Sequence, residues 1–192
     1  SLPRKMAFCV AMRMILDTCV LFPVATREIL LSYSKAGGFT PIWSDRILEE
    51  WRLAAEAKLS EEDSIMAAGD RALLGAHFPN SLATDWERLQ DEVTSPDPDD
   101  AHVIAAARAG QADGIITFNL RDFPKCYLAP YGLYCIHPDE FLRNAFLRDR
   151  QRLQSALVPL ADAAAVKGLS FRTFLKRGNL PRLGKAWELD SG

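Results

Sequence analysis

Short apolar runs of strand length, each breaking off at polar or acidic residues and separated by longer stretches of helical periodicity, restrict this chain to few architectures. Met14-Ile15-Leu16 runs straight into Asp17, and Gly114-Ile115-Ile116-Thr117 runs on to Asn119 and Asp122. Residues 133–136 repeat the pattern, and Thr40-Pro41-Ile42-Trp43 reads as a brief extended stretch. Between them, helical spacing predicts helices over about residues 26–36, after Ser44, after Ser60 with Glu61, Glu62 and Asp63 in its first turn, and from Asp100 onward. A further helix opens at Pro138-Asp139-Glu140. Short apolar strands alternating with helices predict a parallel sheet covered on both faces, a three-layer α/β/α arrangement. Ligands of such sheets bind beyond the carboxyl ends of the strands, where Asp17, Asn119 and Asp122 fall.

Helical geometry sorts the remaining acids. Residues three and four apart share a face, so Glu50 aligns with Ile47, Leu53 and Ala54, whereas Glu49 neighbours Asp45, Arg46 and Arg52 on a more solvated edge. Asp100 precedes Val103 and Ile104 at the same spacings, and Asp99 lies further round. A carboxylate aligned with an apolar face is costly unless something such as a cation compensates it. Each acid also has a plain structural use. Asp17 and one of Asp99 and Asp100 suit helix caps, Asn119 and Asp122 suit a turn, and Asp97 reads as a turn residue beside its prolines.

Taken in order, Ile15-Leu16-Asp17-Thr18, Ser44-Asp-Arg-Ile-Leu-Glu-Glu-Trp51, Asp99-Asp-Ala-His-Val-Ile-Ala-Ala-Ala107 and Thr117-Phe-Asn-Leu-Arg-Asp-Phe-Pro124 resemble PIN-domain nucleases, in particular the VapC-type toxin ribonucleases. The spacing from Asp100 to Ala105 also matches that family's pattern. The resemblance covers residues 12–140 and implies a PIN-like nuclease domain over residues 12–142, followed by a basic helical extension over residues 143–192. It implies that Asp17, Glu50, Asp100 and Asp122 are catalytic and hold one or two metal ions, with Asn119, Asp99 and Thr117 as possible accessories. Oxygen-only donors of this kind select Mg²⁺ or Mn²⁺ over zinc. Further implications are an endoribonuclease acting on RNA, a toxin role with a cognate antitoxin protein, and a homodimer. An RNA-processing PIN nuclease and a non-catalytic PIN-fold module binding RNA or protein stand as alternatives. An Asp after the first strand also occurs in receiver domains and haloacid dehalogenase phosphatases. Cys19, however, stands where such a phosphatase places a second acid, and Lys125, the lysine near a strand end, lies past Asp122.

Composition narrows the alternatives. With 192 residues, 48% hydrophobic and 25% charged, the chain can bury one sizeable core. Cys9, Cys19, Cys126 and Cys135 form no C-x-x-C pair and read as structural thiols of a reducing compartment. His77, His102 and His137 are scattered and read as structural or surface residues. No phosphate-binding glycine loop is present. No apolar run reaches the roughly 18–20 residues of a membrane span, and Met6 to Val10 is too short for a signal-peptide core, so a cytoplasmic protein is expected. Ser1 is not a natural start, and residues 1–11 are expected to be appended sequence or an upstream extension.

The net charge of −2 conceals a segregation. Residues 143–185 carry ten Lys or Arg against two acids, a net of +8, which leaves −10 for the rest. That segment, helical by the spacing of Leu153, Leu157, Leu160 and Ala164 and by Ser170 capping residues 171–176, is expected to meet RNA, an acidic partner or the acidic body itself.

Overall fold

The computed structural model describes residues 11–190, without the side chains of Glu62, Asp63, Met66 and Asp190. The expectations placed on residues 1–10, Cys9 among them, and on the side chains of Glu62 and Asp63 lie outside the described residues. Four strands, β1 (Arg13–Leu16), β2 (Thr40–Ile42), β3 (Gly114–Ile116) and β4 (Tyr134–Ile136), form one parallel sheet in the order β2-β1-β3-β4. Successive residues of a strand point to opposite faces. Met14, Ile15 and Leu16 are all fully buried, so both faces of β1 are covered, as the fold class requires.

Helices α1 (Thr18–Leu21) and α2 (Val24–Lys35) connect β1 to β2. Helices α3 (Asp45–Lys58), α4 (Glu61–His77), α5 (Glu87–Gln90) and α6 (Ala101–Ala109) lie between β2 and β3, with a 3-10 turn, Pro98–Asp100, before α6. Helix α7 (Lys125–Leu128) separates β3 from β4, and α8 (Pro138–Arg148), α9 (Arg150–Val166), α10 (Phe171–Arg177) and α11 (Pro181–Asp190) follow. Because β2 and β3 flank β1 on opposite sides, the chain reverses its direction of travel across the sheet between β1 and β3. The carboxyl ends of those two strands therefore bound the crevice of an open α/β sheet. Gly114 is needed at the start of β3, since a Cβ there would stand 2.7 Å from the carbonyl oxygen of Tyr134 on β4.

The strands and the longer helices fall where the periodicity places them. Helices α1, α5 and α7 have four residues each, too few to display a period. The inward stripe of α3 differs in detail from its sequence reading: Ile47, Trp51 and Ala55 are buried, whereas Leu53 is half exposed. Tryptophan fills the seam one residue after Glu50, and this leaves the glutamate on its flank.

Helix α8 runs without a break across the boundary read at residues 142 and 143. Leu142 and Phe146 share one buried cluster with Leu153, Leu157, Leu175, Leu180 and Leu183 as well as with the sheet residues. Polar ties add to this packing. The carboxylate of the buried Asp139 accepts backbone N–H bonds from Arg182 and Leu183, both at 2.9 Å, and so caps α11 from α8. Thr26 Oγ1 donates to the carbonyl of Gly178 at 2.7 Å. Among the described residues no helix is long and apolar enough to cross a membrane.

Candidate active site

Asp17 closes β1 and opens α1, and its backbone N–H donates to the Ile116 carbonyl of β3 at 3.2 Å. Its side chain caps no N–H of α1. Instead, Oδ2 accepts from Thr117 Oγ1 at 2.7 Å and from Cys19 Sγ at 3.1 Å. Burial pushes the Asp17 carboxyl above its ordinary range, and the Thr117 and Cys19 bonds oppose that shift without cancelling it. Thr117, fully buried, in turn accepts from the Asn119 N–H at 3.0 Å, and Cys19 Sγ accepts from the Phe118 N–H at 3.2 Å. This small network fixes the loop after β3 against the end of β1. Burial and the adjacent Asp17 push the Cys19 thiol up to about 12, so Cys19 sits at the crevice as an inert thiol. Cys19, Cys126 and Cys135 are all free.

Glu50 approaches from α3. Its Oε2 accepts from Thr18 Oγ1 at 3.0 Å, and its Oε1 lies 3.2 Å from Arg46 Nε and 3.0 Å from Nε2 of His102. Burial alone would raise its carboxyl, but His102, Thr18 and Arg46 together hold it below the usual range. Glu49 points away into an exposed network with Arg52 and Arg71. The separation of the two neighbours thus follows their helical phase.

Asp100 ends the 3-10 turn and stands at the N-cap of α6, without a side-chain capping bond. Its carboxyl is pushed up to about 6, first by burial and then by the negative charges of Asp122, Asp17 and Asp97, with His102 pulling the other way. Asp122 is carried by the turn after Thr117, where its N–H donates to the Asn119 carbonyl at 3.0 Å. Asp97 accepts from the Asp99 N–H at 2.9 Å, the turn role read for it, and Asp99 is exposed. Asp17, Asp100 and Asp122 therefore share one electrostatic neighbourhood. Glu50 adjoins it through Thr18 and through its own charge on Asp17.

Sequence reasoning gave His102 no particular use. It is 2% exposed, its ring meets Trp86 edge-on at 6.1 Å, and Trp86 Nε1 donates to Asp45 Oδ1 at 2.8 Å. The partner it holds, Glu50, lies far away in sequence; the available signal was its place in the first turn of α6, two residues after Asp100.

A sequence model of the PIN domain matches residues 13–121, which spans β1, all four helices between β2 and β3, β3 itself and the loop that begins after it. The chain belongs to the PIN domain family. A local match of 64 residues at 36% identity relates this chain to a Mycobacterium tuberculosis protein named "Putative ribonuclease VapC50". That match covers 33% of this chain and 38% of the relative's length. No solved structure matches the chain.

The donor set fits a hard divalent cation in chemistry. The charges of Asp122 and Asp17 add to burial in raising the Asp100 carboxyl, and a cation reverses that penalty. Among the described residues no group of three or more His, Cys, Asp or Glu side chains is placed to hold a metal ion by itself. Mg²⁺ does not require one, since it keeps several waters and is held by one or two carboxylates together with substrate phosphates.

Proposed function

We propose that this PIN domain is a metal-dependent endoribonuclease of the VapC toxin type, with Asp17, Glu50, Asp100 and Asp122 as its catalytic carboxylates. What supports this reading is the placement of Asp100 beside the charges of Asp122 and Asp17 near the β1–β3 switch point, where burial first and those charges second raise its carboxyl to about 6. Asp17, Asp100 and Asp122 would hold Mg²⁺ or Mn²⁺, with Glu50 at the edge beside Thr18. When bound, such an ion activates water and neutralises charge on the scissile phosphate.

The chain's own residues prepare that chemistry. Thr117 and Cys19 orient the Asp17 carboxylate, so one rotamer is favoured before any ligand arrives. His102 and Arg46 restrain Glu50 in the same way and keep it ionised. Asn119, exposed beside Thr117, is free of charge and is suited to orienting a water or a phosphate oxygen. The ribonuclease reading is supported by the relative's printed name, and the toxin role, antitoxin partner and homodimer are proposed from the VapC-type resemblance of the four sequence segments.

Purified full-length protein incubated with single-stranded and structured RNA tests the activity. Cleavage that appears with Mg²⁺ or Mn²⁺ and stops with chelator is expected; cleavage indifferent to chelator contradicts the metal role. Growth arrest on induced expression, relieved by the product of a small neighbouring reading frame, is expected for a toxin and absent for an RNA-processing enzyme.

A further inference from the structure

Four cations rim one groove between α8 and α11. Arg143 comes from α8, Arg150 from the first residue of α9, and Arg182 and Lys185 from α11, around a space of about 610 Å³. All four side chains are exposed, and none of the described side chains lining the groove is acidic. The break at Asp149 separates Arg143 on α8 from Arg150, which opens α9, so the charges come from separate helices and not from one point. The groove is part of the segment that carries +8 on a chain of net −2, but it is a selected part. Elsewhere in the same segment Arg172 pairs with Glu188 at 2.6 Å and Arg152 with Asp149 and the Gly37 carbonyl, while in the groove Arg150 is itself engaged over the Phe146 ring at 5.4 Å.

A second cleft adjoins this groove and shares Arg182 with it. Its other walls include Phe118, Leu120, His137 and Asn179. Phe118 and Leu120 sit between Thr117, which binds Asp17, and Asp122. A continuous surface path therefore leads from the basic groove past Arg182 to the loop that carries the acids. Two carboxylates lie along it. Asp139 spends both oxygens on the N-terminal amides of α11, and Glu140 lines the connecting cleft, which suits passage of an anionic strand less than grip. The grip belongs to the groove.

We propose that the α8–α11 groove is a docking subsite for the sugar-phosphate backbone of single-stranded RNA, which delivers the strand along Arg182 to the carboxylate crevice. This deepens the ribonuclease reading and rests on it. The groove holds no exposed aromatic ring, since Phe146 is 2% exposed beneath Arg150, so stacking on bases contributes nothing there. Recognition is of phosphate charge and is tolerant of sequence.

The test uses full-length protein in the Asp100→Asn background, which keeps the probe uncut, and a fluorescein-labelled single-stranded oligoribonucleotide of mixed sequence. Kd is measured across a range of salt concentrations for three proteins: the background, an R143Q/R182Q/K185Q variant, and a charge-matched K167Q/K176Q/R177Q variant from outside the groove. Each phosphate contact contributes roughly 0.7 to the log–log salt slope for single strands, so the groove variant should flatten the slope by about 2, while the charge-matched variant stays close to the background. K185Q alone should flatten it by about 0.7 and guards against an unstable triple variant. Equal slopes in the two triple variants would overturn the groove as a site. Polyglutamate bound through the groove, with RNA affinity unaffected by its loss, would overturn it in favour of an acidic protein partner. A background protein that binds no RNA at any salt would instead remove the ribonuclease reading, and the subsite with it.

Discussion

At Asp100, burial first and then the charges of Asp122, Asp17 and Asp97 act on one carboxyl. That carboxyl is raised from 3.8 to about 6 in the folded chain. An acid whose folded value is raised binds its proton more tightly when folded, so it favours folding at low pH and penalises it as pH rises through that interval. Metal-free Asp100→Asn should therefore melt above the parent at neutral pH, with the gap shrinking as pH falls from about 6 toward 4; thermal scans across that range check it. Glu49 and Glu50 offer a sharper contrast. Glu49→Gln removes an exposed ion-pair network and should leave both the melting temperature and RNA cleavage nearly unaltered. Glu50→Gln should lower cleavage, because the pair with His102 and the Thr18 bond hold that side chain at the crevice. Parallel single-turnover assays compare the two, and equal loss from both would mean that Glu50 has no special place. Helical phase was enough to separate Glu49 from Glu50 on α3, whereas Asp99 and Asp100 lie in the 3-10 turn before α6, where that phase does not apply. It could not give the hydrogen bonds of His102, whose partner comes from another helix.

At the scale of elements, the strands were legible because buried parallel strands leave apolar runs, and the long helices because their spacing repeats. The four-residue helices left no period to read. The inward face of α3 was read through Leu53, yet Trp51 occupies the seam, since one large ring at that position fills space that the leucine would reach only from the flank. Nothing local in Pro138-Asp139-Glu140 announced that Asp139 caps α11 rather than the first turn of its own helix. Removing that carboxylate leaves two amides of α11 without their acceptor. Asp139→Ala should cost about 1–3 kcal/mol, typical of an unsatisfied buried group, with the loss concentrated in the last helix. Amide hydrogen exchange would show residues 181–190 losing protection before the sheet does; uniform loss would contradict the tertiary cap.

Over the whole molecule, the charge split and the hydrophobic core describe the carboxyl-terminal helices differently. By charge they form a separate basic segment; by packing they complete the same core as the sheet, with α11 against α8 and α9 against α2. A sequence shows the first directly, whereas the second depends on which leucines meet across the fold. The proposed activity rests on neither, but on the chemistry of the crevice. Its most direct test is cleavage of an oligoribonucleotide by full-length protein and by Asp100→Asn at saturating Mn²⁺, beside calorimetric titration of the same ion. With circular dichroism unchanged, the variant should lose at least about a hundredfold in cleavage and bind the ion more weakly, since even partners of metal ligands typically contribute 10–100-fold. Equal cleavage by both proteins would contradict a metal-dependent nuclease centred on these carboxylates.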